Sequence, residues 1–262
     1  MIQPVLGRVE LAAATVTTAT WGQAPVTIVM LHDGLGSISQ WRGVPAMIAD
    51  RTGATVLAYD RPGHGSSVPV PQGPWPAEWL HHEAGLLATL IDHLEIEDPL
   101  LVGHSDGGSI ALIHAADRPL RQAGLVTLAA HSFVETICGE RIAAMRVEPG
   151  PIVAGLERHH DHAAALFEAW SRVWISARFG EWDVRPVLER VAAPVVVAQG
   201  TADEYGTDAM ATLTTAAIGD NARCELVDGV GHLMHHDAPT IVVDLVADMH
   251  TAIRNRPSDR AR

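Results

Sequence analysis

Strand-length apolar runs that alternate with helix-period segments constrain this chain more than any other feature. Thr27-Ile-Val-Met-Leu31, Thr55-Val-Leu-Ala-Tyr59, Leu100-Leu-Val102, Leu125-Val-Thr-Leu128 and Pro194-Val-Val-Val-Ala198 are continuous and apolar. A strand wetted on one face alternates polar and apolar residues, whereas one covered on both faces does not, so these runs predict a parallel sheet. Between them the spacing changes to three and four. Trp79-Leu80, Leu86-Leu87, Leu90-Ile91 and Leu94 follow it, as do Ile241-Val242, Leu245-Val246, Met249 and Ile253, each set lining one helical face. The alternation predicts the α/β class, with a doubly wound, mostly parallel sheet. The segment ahead of Thr27 reads as one or two antiparallel edge strands, and Arg256–Arg262 as a frayed tail.

Residues 133–186 break this rhythm. They contain no buried-strand run, only helix-like spacing with a break at Pro149-Gly150-Pro151, yet these 54 residues hold all three Phe and three of the seven Trp. Such enrichment predicts a small helical cap, inserted into a core of residues 1–132 and 187–262. It would cover the carboxyl ends of the strands, where open α/β sheets bind ligands. Phe167, Trp170 and Trp174, at i, i+3 and i+7, are the candidate substrate-binding residues. Packing between cap and core is the competing reading of the same stripe.

The balance of 18 Lys and Arg against 31 Asp and Glu leaves a net charge of −13. That charge repels phosphate backbones, so no nucleic-acid partner is expected. Met1–Glu10 lacks a basic stretch followed by an apolar one, and no run reaches the roughly 20 apolar residues of a membrane span. The expectation is a cytoplasmic protein with no membrane partner, its Cys138 and Cys224 reduced. The oligomeric state stays open, a homo-oligomer included.

The chemistry is carried by Gly103-His104-Ser105-Asp106-Gly107-Gly108, between the Leu100–Val102 run and a helix over Ser109–Ala116. A tight strand-to-helix turn lifts a serine clear of the sheet, and the helix N-terminus behind it favours developing negative charge. With 23 Gly and 10 Ser in the chain, chance supplies about 0.08 Gly-x-Ser-x-Gly matches, and far fewer in this context. Ser105 is the candidate nucleophile. A serine needs a base oriented by an acid. Gly200-Thr-Ala-Asp203 follows the fifth run, and Gly231-His232 follows a further strand over Cys224–Val227. Asp203 is the candidate acid, ahead of Glu204, Asp208 and Asp228, and His232 the candidate base.

These motifs, with His32-Asp-Gly-Leu-Gly36 and Asp60-Arg-Pro-Gly-His-Gly-Ser66, resemble those of the α/β-hydrolase family. The resemblance runs from about Thr27 to the last helix. The chain is most similar to the capped branch that includes esterases, lactonases, carbon–carbon bond hydrolases and cofactor-independent haloperoxidases. Ser105 departs from epoxide hydrolases and haloalkane dehalogenases, which carry Asp there. Asp106 departs from the Trp that follows Ser in prolyl aminopeptidases. The resemblance implies an oxyanion hole from the amides of Asp106 and Gly34, with Leu35 the alternative because Asp33 replaces the commoner Gly. It also implies structural duties for His32, His64 and His104.

Neither Arg158-His-His-Asp-His162 nor the cluster of His232, His235, His236 and Asp237 matches a zinc-hydrolase spacing. The first reads as solvated surface histidines, and no metal or other cofactor is expected. The leading expectation is a serine hydrolase acting on an ester, thioester or lactone of a small, fairly apolar molecule. The alternatives are a carbon–carbon bond hydrolase of a dienoic ring-fission product and a ligand-binding, receptor-like protein with little turnover. A dienoic substrate carries a carboxylate, so an arginine at the pocket, from among Arg141, Arg146, Arg158, Arg172 and Arg178, would favour the former.

Overall fold

A computed structural model of the chain describes residues 2–256. The strands are β1 (Val5–Glu10), β2 (Thr15–Trp21), β3 (Val26–Leu31), β4 (Thr55–Tyr59), β5 (Leu100–His104), β6 (Gly124–Leu128), β7 (Val195–Gly200) and β8 (Ala222–Val227). They form one sheet in the order β1-β2-β4-β3-β5-β6-β7-β8. At one edge β1 pairs antiparallel with β2 and β2 antiparallel with β4; all other pairings are parallel. All five apolar runs are strands, and β4, β5, β6 and β7 are buried along their whole length.

Successive side chains of a strand face opposite ways, and the two faces meet different helices. Val29, Leu31, Leu101, Leu125, Val195 and Val197 join one apolar cluster with α2 (Trp79–His93) and α3 (Asp106–Asp117). Ile28, Met30, Val102, Val126, Val196 and Ala198 join the other, with α1 (Val44–Thr52) and the last helix. Helices on both faces explain why the runs carry no polar alternation. The chain moves from β3 outward to β4 and then back to β5 on the other side. The carboxyl ends of β3 and β5 therefore flank a topological switch point, where open α/β sheets form a crevice.

Between β6 and β7 lie α4 (Thr136–Met145), α5 (Pro149–Leu156), α6 (Ala163–Trp174), α7 (Ala177–Gly180) and α8 (Arg185–Leu188). The two ends of this segment meet: the Val184 amide donates to the Ser132 carbonyl at 2.8 Å, and Phe133 bridges Asp183. The break expected at Pro149-Gly150-Pro151 falls just ahead of it, between Met145 at the end of α4 and Pro149. Pro149 itself opens α5, because a first-turn proline gives up only an amide that would have no partner there. The remaining helices are α9 (Asp208–Ile218), α10 (Met234–Asp237) and α11 (Pro239–Arg254). Of the tail expected over Arg256–Arg262, residues 257–262 lie outside the described residues. Among the described residues, no helix is long and apolar enough to cross a membrane.

Candidate active site

Ser105 stands between β5 and α3 with φ 51° and ψ −120°. A non-glycine residue there is strained and persists only when its surroundings hold it. Its amide donates to the Leu128 carbonyl of β6 at 2.8 Å, and its carbonyl accepts from the Gly108 and Ser109 amides at 2.9 and 3.0 Å. The turn also needs its glycines. A Cβ on Gly103 would collide with the Gly107 carbonyl, and one on Gly107 with the carbonyls of Leu31 and His32.

His232 Nε2 lies 3.0 Å from Ser105 Oγ, and its Nδ1 lies 3.0 and 2.9 Å from the two Asp203 oxygens. The tautomer with hydrogen on Nδ1 donates to Asp203 and leaves the Nε2 lone pair for the serine hydroxyl. Asp203 also accepts from Gln199 Nε2 at 2.6 Å and the Tyr205 amide at 2.8 Å. Burial opposes charge on both partners. The hydrogen bond and charge between them win, holding His232 above the usual histidine range and Asp203 below the usual carboxylate range. The other acids lie elsewhere. Glu204 accepts from the His232 backbone amide at 3.4 Å, Asp208 opens α9, and Asp228 accepts from the Thr201 hydroxyl at 3.3 Å.

The loop after β3 brings Gly34 to the same place. A Cβ on Gly34 would collide with the Trp170 indole nitrogen and the Asp106 carboxyl. The Leu35 amide is taken by Asp33 Oδ1 at 3.1 Å, an Asx turn that accounts for an aspartate where glycine is commoner. Asp33 Oδ2 also faces His104 Nδ1 at 3.2 Å, and His104 Nε2 donates to the His232 carbonyl at 2.8 Å. Burial raises the Asp33 pKa, but His104 outweighs it and holds this carboxyl far below its usual range. Asp106 behaves oppositely. Burial pushes it up to about 6, against Arg61 and the Trp170 hydrogen bond.

Ser105, His232, Gly34 and Asp106 line a cavity of about 160 Å³. Trp170 and Trp174 line it too, with the Trp170 indole donating to Asp106 Oδ2 at 2.9 Å. Phe167 does not. It packs behind that wall on Leu156 and Ala163; around the helix it is only about 20° from Trp174, but it lies about two turns away along the axis. The cavity also takes Cys138, Ile142 and Met145. Their i, i+4, i+7 spacing on α4 was a usable sequence signal of the same kind as the tryptophan stripe. His131 and Tyr205 complete the wall beside His232; burial first, then His232, drives His131 down to about 4.

The remaining histidines are mostly structural. His160 is not solvated: it is 4% exposed, accepts from the Gly65 amide at 2.9 Å and donates to the Leu35 carbonyl at 3.0 Å. The spacing of Arg158–His162 hid this, since its partners are more than 90 residues away. Among the described residues, no three His, Cys, Asp or Glu side chains converge to hold a metal ion.

The model of the alpha/beta hydrolase family matches residues 28–245. The chain is 28% identical over 218 residues to 3-oxoadipate enol-lactonase 2 of Acinetobacter baylyi, a match covering 72% of this chain and 76% of the relative. It is 33% identical over 120 residues to the dihydrolipoyllysine-residue acetyltransferase component of the acetoin cleaving system of Pseudomonas putida. That match covers 45% of this chain and spans only 30% of the relative. The crystal structure of the enol-lactonase from Burkholderia xenovorans has a TM-score of 0.76, over 94% of this chain and 100% of that one. At 21% identity that likeness is one of fold. The sheet order, the site at its switch point and the family match agree: the chain belongs to the α/β-hydrolase family.

Proposed function

We propose that the protein hydrolyses a carboxylic ester, thioester or lactone of a small, fairly apolar and uncharged molecule through an acyl-enzyme. The observation that carries this reading is the hydrogen-bonded series Asp203–His232–Ser105, which opens directly onto the cavity. Ser105 Oγ attacks the carbonyl carbon while His232 Nε2 takes its proton. Asp203 orients the imidazole and stabilises its charged form. The amides of Gly34 and Asp106 receive the oxyanion. His232 then protonates the leaving oxygen or sulfur, and a water deprotonated by His232 releases the acid. Residues 133–186 act as the cap, with Trp170 and Trp174 as the apolar wall over the acyl group.

The cavity wall bears on the rival chemistry. Among the described residues lining it there is no Lys or Arg, whereas Asp33, Asp106 and Glu204 are present. Arg146 and Arg172 pair with Glu168, and Arg178 with Glu78. Arg141 lies over the Tyr205 ring at 5.9 Å, outside the lining. A dienoic carboxylate would meet no cationic side chain in the cavity wall itself, which favours an uncharged acyl substrate over carbon–carbon bond cleavage.

A fluorophosphonate probe tests the reading. One label at Ser105 is expected, with both label and turnover of a p-nitrophenyl ester lost in Ser105→Ala. Labelling at Ser109 or Ser132 by mass spectrometry would refute it.

A further inference from the structure

The Gly34 amide assigned to the oxyanion sits on a loop held by distant residues as well as by its own turn. Gly34 and Gly36 flank Leu35, and glycines leave such a loop many backbone states. Three successive carbonyls of this loop are nevertheless each held. Asp33 O accepts from Arg61 Nη2 at 2.5 Å and His32 Nδ1 at 2.8 Å. Gly34 O accepts from His64 Nε2 at 3.0 Å, and Leu35 O from His160 Nε2 at 3.0 Å. A carbonyl and the next residue's N–H share one rigid plane and point opposite ways. The Asp33 carbonyl therefore fixes where the Gly34 amide points, and the Leu35 carbonyl fixes the Gly36 amide, which itself donates to the Asp33 carbonyl at 3.2 Å.

Arg61, His32 and His64 belong to the sheet's own loops, but His160 comes from the inserted helices. Its ring joins three segments. Nδ1 accepts from the Gly65 amide after β4 at 2.9 Å, Nε2 holds Leu35, and the Asp161 amide donates to the Gly65 carbonyl at 2.9 Å. It also lies 5.9 Å, ring to ring, from the His64 that holds Gly34. Accepting at Nδ1 while donating at Nε2 requires the neutral ring, which burial favours by lowering its pKa. The second amide is tied to the same helices: Trp170 of α6 donates to the Asp106 carboxyl at 2.9 Å and packs on Gly34.

We propose that the inserted segment is part of the oxyanion machinery, with His160 and Trp170 as positioning residues that hold the two amide-bearing stretches. Its seating then governs the rate of the chemical step and not only capture of substrate. This rests on the acyl-transfer reading above.

The test uses the full chain, p-nitrophenyl butyrate and butylboronic acid, which forms a tetrahedral adduct on an active serine. His160→Ala should lower kcat about 10-fold or more with KM within about 3-fold, since a misaligned oxyanion donor costs transition-state stabilisation. Its boronic acid Ki should rise by the factor by which kcat/KM falls. His160→Gln, whose amide offers an acceptor and a donor, should recover most of both. His159→Ala removes a neighbouring contact of the same segment, the 2.7 Å bond to Ser39 Oγ, and should leave kcat alone. Circular dichroism at the assay temperature establishes that each variant is folded. An unchanged kcat in His160→Ala, a lower kcat without weaker boronic acid binding, or a Gln variant as poor as Ala overturns the proposal. A wild type that neither takes fluorophosphonate at Ser105 nor turns over the ester fails the acyl-transfer reading itself, and the clamp with it.

Discussion

The two halves of the site are built by different means. One half, Ser105, Asp203 and His232, stands on loops that follow β5, β7 and β8, and each position is set by a strand end in a buried sheet. The other half, Trp170, Trp174, Cys138 and His160, hangs from helices that meet the core near the cavity through side-chain packing and a few hydrogen bonds, with no ladder of backbone bonds among the described residues. The ends of β5 and β7 are held by hydrogen bonds to both neighbours and that of β8 by those to β7, so their geometry survives a lost side chain. The helical half has less redundancy. Covalent chemistry is therefore expected to reside in the first half, and choice of substrate together with alignment of the oxyanion amides in the second.

The largest effect that would sharpen this contrast comes from Asp203→Asn. It should lower kcat by about 10⁴-fold, because the amide favours the wrong imidazole tautomer while leaving the packing intact. It should also move the pH profile. His232 acts as a base when neutral, so activity rises with pH through its pKa, which Asp203 holds above the usual histidine range. Removing the carboxylate should shift that acid limb to lower pH. If Asp228→Asn proves more damaging, the strand-end half has been assigned the wrong acid.

A smaller effect separates the residues of α6. Phe167 packs on Leu156 and Ala163, so Phe167→Ala should cost about 3 kcal/mol of stability and leave acyl-chain preference alone. Trp174 lines the cavity and sits edge-on to His131 at 5.2 Å. Trp174→Ala should raise KM for longer acyl groups by up to about 2 kcal/mol of binding, since the area lost is shared with packing. Thermal midpoints and a p-nitrophenyl ester series on both variants decide it. The same profile from both would erase the distinction between wall and backing.

The smallest effect concerns a buried acid on α2, behind the site. Burial pushes Glu83 up to about 7, against Arg61 and with a further push from Asp106. A raised carboxyl contributes stability that is full below its unfolded pKa near 4.5 and lost as pH climbs through about 7. Glu83→Gln imitates the protonated form, so it should change little at pH 5 and stabilise at pH 8. The difference should be on the order of 2 kcal/mol, less than the full shift implies because part of the side chain meets solvent. Urea midpoints at both pH values measure it. Equal effects at the two would mean that Glu83 is ionised throughout.

The amino-acid order by itself determined the parallel sheet, the turn at Ser105 and the succession Ser105, Asp203, His232. Each is a local pattern: an unbroken apolar run, glycines around a serine, a polar residue just past a strand. The Asx turn that takes the Leu35 amide needed only Asp33 and the two residues after it, though the bond appeared only once the loop had its shape. What only the tertiary structure decided are relations between distant segments. His160 and Leu35 are 125 positions apart, and Trp170 and Asp106 are 64 apart. Periodicity places a residue on a face of its own helix but says nothing of what that face meets. The same α6 stripe thus supplied one residue of the packing behind the wall, Phe167, and two of the wall, Trp170 and Trp174. Their difference arises from how a twelve-residue helix lies across the crevice, and no local pattern encodes that angle.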